Sequence, residues 1–499
     1  MTSAVFSAER VKRIGLWSGL IMAGVLLVIG EPESLTVSGR ALSPAWVTLC
    51  LLVVMATWWV TEAIPIPVTA LLPMIVLPLT GTRTMAEAAA PYMHPVVVLL
   101  MGGFIFAKAL ERWRLHERIA LNIVARSSGS PTQLVGAFML AAAMLSMWIS
   151  NTATCLMMVP IAMSVAAAIG DGSEHSRRFQ IALLLGVAYG CSIGGLGTPI
   201  GTPTNLIVIG YLDSEAGVEI SFSQWLTFGI PVVLVLLPAA WWTLTRWAFR
   251  LASNDNTSAR DTVTRSLQEL GPMQSAERRV VTVFIAVAAL WIFRRPLSDI
   301  TLQLNGSDVM PLGGLTDHLI ALLAVLLCFL IPAGARKART LLDWKTAEQI
   351  PWGVLLLFGG GMSLASAMNA SGLGTFLGNS LAGVDALPTW LLIACITTVI
   401  LVLTEVTSNI ATASALMPVI GSLAIASGIS IEMLAAPIAL AASCAFMFPM
   451  ATGPNAVVFA AGEFNMLTMA RAGIRLNVLA VIVITFASMT LAPWVLGSA

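Results

Sequence analysis

Charge is scarce in this chain. Of 499 residues, 26 are Lys or Arg and 25 are Asp or Glu, 10% in all, whereas a soluble domain carries about 25%. So few charges cannot cover a water-facing surface of this length, which excludes a soluble enzyme and a disordered chain. The two signs nearly cancel, to a net +1, so the electrostatic footprint of a nucleic-acid binder is missing as well. Histidine is sparse too: His94, His116, His175 and His318 are scattered without ligand-like spacing. There is no His-Glu-x-x-His, no Gly-x-Ser-x-Gly and no Walker loop, so membrane proteases and ATP-driven pumps lack their equipment here and no enzymatic activity is expected. Cys50, Cys155, Cys191, Cys328, Cys395 and Cys444 lie in apolar stretches without paired spacing and read as small buried hydrophobes.

What is abundant is apolar surface. Hydrophobic residues make up 58% of the chain and the mean hydropathy is +0.89, the composition of a polytopic α-helical membrane protein. A helix needs roughly 20 apolar residues to cross the hydrocarbon. Crossings are expected near 14–30, 45–60, 64–80, 94–109, 179–211, 224–245, 280–294, 317–332, 352–370, 432–462 and 476–494. Ile14–Gly30 follows Arg10, Lys12 and Arg13 as a signal-peptide core would, but acidic residues and no convincing cleavage site come after it, so it is read as the first span. Two further stretches, 132–170 and 388–427, are about twice the length of a crossing. Each is either two full helices or one re-entrant hairpin.

The distribution of basic residues separates these alternatives. With the N-terminus cytoplasmic and both long stretches returning to the side they entered, only Arg40, Arg83, Arg294 and Arg295 fall outside, and 22 of the 26 basic residues fall inside. A single crossing at either stretch inverts everything after it and spoils the bias. The expectation is eleven crossings, two hairpins, N inside and C outside. The polar stretch Ser253–Ala276 is then a cytoplasmic loop. The sequon Asn305-Gly306-Ser307 carries no weight alone, and short loops point to a bacterial inner membrane.

An internal repeat is the most informative feature. Ser150-Asn151-Thr152-Ala153-Thr154 with Pro160 returns 258 residues later as Ser408-Asn409-Ile410-Ala411-Thr412 with Pro418. Upstream, Gly102-Gly103 matches Gly359-Gly360. Downstream, Pro199-Ile200-Gly201-Thr202-Pro203-Thr204-Asn205 aligns with Pro449-Met450-Ala451-Thr452-Gly453-Pro454-Asn455. The first hairpin enters from the cytoplasm and the second from outside, so the halves are inverted, as in transporters. The organisation expected is 1–93 as scaffold helices, 94–250 as the first repeat with hairpin 132–170 and broken helix 179–211, and 251–279 as a cytoplasmic linker. There follow 280–351 as the second scaffold and 352–499 with hairpin 388–427, broken helix 432–462 and a last helix.

Each Ser-Asn pair lies in the middle of an apolar stretch, and each Gly/Pro/Thr/Asn cluster interrupts a crossing. Irregular backbone survives at membrane depth only when buried in protein or lining a polar cavity. Broken helices expose carbonyls that suit Na⁺ and N–H groups that suit a carboxylate. Ser146 and Thr404 stand four residues before the Ser-Asn pairs, one turn back on the same face, and a hard cation prefers such oxygen ligands. No Arg, Lys or His lies inside these motifs. An anion there is balanced by N–H dipoles and co-bound cations. Small polar residues in apolar helices also serve as interhelical glue, but occurrence of both motifs in an inverted repeat favours a site. Glu405, the most deeply placed carboxylate, reads as a partner for neighbouring backbone before it reads as a proton relay. Glu62 reads as a packing or cap residue at a helix end, and Lys108 as a snorkelling one.

These motifs, with Trp58-Trp59-Val60-Thr61-Glu62-Ala63-Ile64-Pro65 before the third span, resemble the divalent anion–sodium symporter family across essentially the whole chain. That family carries di- and tricarboxylates or sulfate. The resemblance implies one Na⁺ site at Ser146, Ser150, Asn151 and Gly201 and a second at Thr404, Thr407, Asn409 and Ala451. It places the substrate against Asn151, Thr152, Thr202, Asn409, Thr452 and Gly453. It also implies a homodimer in lipid with an elevator motion, taking up C4-dicarboxylates such as succinate, malate or fumarate with Na⁺. Ile410 departs from the Thr of many bacterial members and removes a hydroxyl from that shell. The competing readings are a Na⁺-independent exchanger or H⁺-coupled anion transporter, and an ion channel or receptor.

Overall fold

In a computed structural model the chain is helical throughout its apolar segments. The structure describes residues 2–32, 35, 42–127, 129–251, 257–304, 307–335, 338–380, 387–462 and 464–497. Arg40 and Asn305-Gly306, used above, lie outside the described residues, as do Arg336 and Lys337, two of the basic residues counted inside. Among the described residues nine helices are long and apolar enough to cross a membrane by length and composition. The only strands described form two short antiparallel ribbons, Leu302–Leu304 with Ser307–Val309 and Pro332–Ala335 with Ala338–Thr340. Helices dominate because lipid offers no partner to a backbone N–H or carbonyl, so each segment must satisfy its own.

Both long stretches fold as helix–turn–helix hairpins, Pro131–Ser146 with Asn151–Ile169 and Thr389–Thr404 with Asn409–Ser427. Both crossings with internal Gly/Pro clusters break. Glu174–Gly194 stops and resumes as Pro203–Ala216, and Ile431–Ala442 resumes as Gly453–Ala461. Proline at or next to the first position of each resumed half fits, because the missing N–H is one a helix start leaves free anyway.

The hairpins and broken helices interlock. Glu174–Gly194 packs along the first hairpin, and Ile431–Ala442 along the second. The resumed halves cross over: Pro203–Ala216 lies on the second hairpin and Gly453–Ala461 on the first. Glycine makes the first of these seats close. A Cβ on Gly190 would stand 2.7 Å from the Met139 carbonyl oxygen, and one on Gly194 would collide with Ala143. Gly186, Gly190 and Gly194, spaced four apart, therefore form a smooth stripe under Pro131–Ser146, the small-residue device of membrane helix packing.

Several boundaries differ from expectation. The last span is Met466–Leu491, ten residues earlier in its start than 476–494. The segment at 280–294 begins at Ser275, where a capping box of Gln274 and Glu277 starts the helix. The third span is two short helices, Ile66–Thr69 and Leu72–Leu79. The linker is not a plain loop: Thr257–Glu269 is a helix packed on Asn151–Ile169 and on the short helix Leu115–Val124. Its apolar residues are few but spaced to share a face, with Val263 buried and Leu267 partly so, which a reading based on total polarity overlooks. Four of the six cysteines are buried as expected, while Cys50 is half-buried and Cys395 exposed. Glu62 does cap a helix, in the left-handed conformation (φ 48°) after Thr61. Lys108 pairs with Glu111 at 2.7 Å.

Candidate functional site

The two hairpin tips are built by the same hydrogen bonds. Ser146 Oγ lies within hydrogen-bond reach of the Cys191 carbonyl, at 2.7 Å, and of Asn151 Oδ1, with one proton to share between them. Thr404 Oγ1 likewise lies 2.8 Å from the Ala442 carbonyl and 2.7 Å from Asn409 Oδ1. A hydroxyl in the last turn of a helix ordinarily bonds back to its own carbonyls. These two instead reach across to the last turn of the broken helix, where carbonyls lose their intrahelical partners. Neither Ser150 nor Ser408, at the N-cap of each second arm, spends its side chain on capping.

The broken-helix loops match as closely. Asn205 Nδ2 donates to the carbonyls of Gly195 (3.0 Å) and Thr198 (2.8 Å), and Asn455 Nδ2 to those of Ala445 (3.0 Å) and Phe448 (3.1 Å). Gly201 N–H donates to Thr198 O at 3.3 Å, and Ala451 N–H to Phe448 O at 3.2 Å. In the first repeat, loop and tip are in direct contact. A Cβ on Gly195 would sit 2.9 Å from Asn151 Oδ1 and 3.1 Å from the Gly201 carbonyl oxygen. Ser146, Asn151 and Gly201 thus gather at one junction, and Thr404 with Asn409 at its counterpart. Thr407 enters differently, its hydroxyl being held by Leu403 O (2.7 Å) and Thr412 Oγ1 (2.6 Å).

Between the junctions the repeats touch. Thr152 Oγ1 packs against Gly453 so closely that a Cβ there would collide with it, and Cys155 Sγ approaches Pro454 O at 3.5 Å. Thr452 caps its helix through Asn455 N–H at 3.1 Å. Its counterpart Thr202 does not, and lies within 3.3 Å of Thr204 Oγ1 and Ser443 Oγ. Ile410, opposite in the repeat to Thr152, is half-buried and packed among apolar neighbours.

Four helices begin at these motifs, at Asn151, Pro203, Asn409 and Gly453, and four end there, at Ser146, Gly194, Thr404 and Ala442. The ends supply carbonyl oxygen for a hard cation and the starts supply N–H for an anion. Among the described residues no three His, Cys, Asp or Glu gather as a transition-metal site would require. Glu405 is the one carboxylate in the motifs. It accepts from the N–H groups of Phe446 (2.8 Å), Met447 (3.0 Å) and Phe448 (3.1 Å) and from Asn477 Nδ2 (2.7 Å), so it holds the second loop. Its first-repeat counterpart is Met147, whose carbonyl accepts the Thr198 hydroxyl. Sequence reasoning missed Asn205 and Asn455 as site residues, although both stood in the aligned blocks, and it missed the carbonyls of Cys191 and Ala442.

Twin hairpins, twin broken helices and a matched hydrogen-bond set define a helical membrane transporter built as an internal repeat. The chain belongs to the family described as the sodium:sulfate symporter transmembrane region, whose model matches residues 12–497. Its curated relatives include the sodium-dependent dicarboxylate transporters SdcS of Staphylococcus saprophyticus, 38% identical over 97% of this chain and 92% of that protein, and of Staphylococcus aureus, 38% identical over 99% and 93%. Among solved structures the fold is shared with the Alcanivorax borkumensis YdaH transporter, at 16% identity and a TM-score of 0.56 over 91% of this chain and 98% of that one. It is shared too with Neisseria gonorrhoeae MtrF, at 12% identity and a TM-score of 0.58 over 98% and 94%.

Proposed function

We propose that the chain takes up C4-dicarboxylates such as succinate, malate or fumarate together with Na⁺, as a secondary active symporter. The observation that carries this reading is the doubled tip: the hydroxyls of Ser146 and Thr404 each join a broken-helix carbonyl to the amide oxygen of Asn151 or Asn409. Each junction gathers oxygen and no basic side chain, which suits an alkali cation. One Na⁺ belongs with Ser146, Ser150, Asn151 and Gly201, the other with Thr404, Thr407, Asn409 and Ala451. Their charge then makes the space between them attractive to an anion.

The dicarboxylate lies between the tips, against Asn151, Thr152, Thr202, Asn409, Thr452 and Gly453, where N–H groups at helix starts receive its oxygens. Without Na⁺ the same space holds no positive side chain, so the anion's binding depends on the cation. The relatives' transport of dicarboxylates with sodium supports this choice over sulfate. Interlocking of each hairpin with the other repeat favours movement of hairpins and broken helices as one body, an elevator past the remaining helices. The proposal extends to a homodimer in a bacterial inner membrane, N-terminus cytoplasmic and C-terminus outside.

Uptake of radiolabelled succinate into proteoliposomes under an inward Na⁺, K⁺ or pH gradient tests the reading, with sulfate and citrate as competitors. Accumulation driven by Na⁺ alone is expected. Equal uptake in K⁺ would replace symport by exchange, and stronger competition by sulfate would change the substrate class.

A further inference from the structure

Asn205 and Asn455 are wholly buried, and each leaves its Oδ1 without a hydrogen-bond partner while its Nδ2 makes two bonds. Burying an unpaired amide oxygen is costly, and the same cost recurs 250 residues apart at equivalent positions of the repeat. Turning either amide over would set its oxygen against two carbonyl oxygens, so the orientation is determined. Both residues are therefore kept for their paired N–H donors.

Those donors act on one turn in each loop. Thr198 O accepts from both Asn205 Nδ2 and the Gly201 N–H, and Phe448 O accepts from both Asn455 Nδ2 and the Ala451 N–H. The amide thereby fixes the peptide that leads to the Gly201 or Ala451 carbonyl. In the first repeat it also holds the Gly195 carbonyl, beside which a Cβ would stand 2.9 Å from Asn151 Oδ1. Two donors fill Thr198 O and Phe448 O, whereas the clamp makes one bond to the Gly195 carbonyl and none to the Gly201 or Ala451 carbonyl, so it orients those oxygens without using them up.

We infer that Asn205 and Asn455 are the positioning residues of the two Na⁺ sites, each clamping its broken-helix loop so that main-chain oxygens face the hairpin amide. The inference rests on the cation sites proposed above. It says that these two amides tune cation affinity and do not touch the dicarboxylate.

The test is Na⁺- and succinate-dependent uptake by purified Asn205→Ala and Asn455→Ala variants in proteoliposomes, with Na⁺-induced thermal stabilisation measured in detergent without succinate. Each substitution is expected to raise the half-saturating Na⁺ concentration about tenfold and to weaken the thermal shift correspondingly. The succinate half-saturation at saturating Na⁺ is expected to stay within about twofold. A merely structural role would lower the melting temperature without separating the two affinities. If an alanine variant does not fold, the near-isosteric, uncharged Asn205→Leu and Asn455→Leu variants are read in the same way. Unchanged Na⁺ dependence, or an equal loss of succinate affinity at saturating Na⁺, overturns the inference. Asn151→Ala and Asn409→Ala run in parallel: if these shift Na⁺ dependence and the loop variants do not, the clamp alone is wrong. If none of the four shifts it, the cation-site reading falls and the clamp with it.

Discussion

The Tyr189 hydroxyl donates to the Phe446 carbonyl at 2.7 Å, so the first repeat's broken helix braces the second repeat's loop. Their rings meet edge to face, 5.0 Å apart, and both residues are wholly buried. Phe446 also donates its N–H to Glu405, which places this brace one peptide from the carboxylate that holds the same loop. Tyr189→Phe removes the hydroxyl and leaves a buried carbonyl unpaired, a loss of about 1–3 kcal/mol. The expected outcome is a lower melting temperature together with weaker Na⁺ activation. An unchanged melting temperature in detergent would show that the brace contributes nothing.

Asn151→Ala and Asn409→Ala each delete an amide oxygen that accepts from a tip hydroxyl. The hydroxyls keep the Cys191 and Ala442 carbonyls as acceptors, so the loss falls on the cation, and an unreplaced ligand there costs about 1–3 kcal/mol, equivalent to roughly 5- to 150-fold in affinity. Both variants should need more Na⁺ for half-maximal succinate uptake. Wild-type Na⁺ dependence in either would remove that residue from the cation site.

Thr152 and Gly453 are tested as a contact. Gly453→Ala drives a methyl into the Thr152 side chain, and a collision of this kind costs about 1–3 kcal/mol or displaces the loop. Succinate uptake should fall by at least about tenfold. Thr152→Val keeps the shape and removes the hydrogen bond proposed to the substrate, worth about 0.5–1.5 kcal/mol and more to a charged acceptor. Succinate affinity should weaken while Na⁺-induced stabilisation without succinate persists. If competition curves for succinate, citrate and sulfate are all unmoved by Thr152→Val, the first tip does not meet the anion.

The proposed orientation is tested at the hairpin ends. His175 and Ser430 are exposed, beyond the second arms of the first and second hairpins. With Cys50 and Cys395 replaced by serine, a membrane-impermeant thiol reagent should label His175→Cys only from the cytoplasm and Ser430→Cys only from outside. External labelling at His175→Cys would mean that the first stretch crosses the membrane.

Most of the helical plan was legible in the residues because apolar length is a local property. Helices occupy every segment expected to cross, and both long stretches turn back as helix pairs with the Ser-Asn pairs at the turns, although among the described residues only nine helices are long and apolar enough to cross. Polarity misled at Thr257–Glu269, where Val263 and Leu267 gain from packing what the segment's average hydropathy denies. Glu405 illustrates a half-legible residue. Its depth was evident, but its partners come from residues 446–448 and 477, far along the chain.

By itself the sequence determined the membrane class, the segments, the internal repeat and the side chains that mark both tips. It did so because span length and repeated motifs are written in the order of residue types. Tertiary structure alone decided which backbone oxygens join them. Every residue carries a carbonyl, so nothing in the letters distinguishes Cys191 or Ala442 from its neighbours. They matter because a helix ends there and a hairpin hydroxyl from another segment reaches them. The same holds for the contact of Thr152 with Gly453, since only the crossing of each resumed half-helix onto the other repeat's hairpin brings the two halves of the site together.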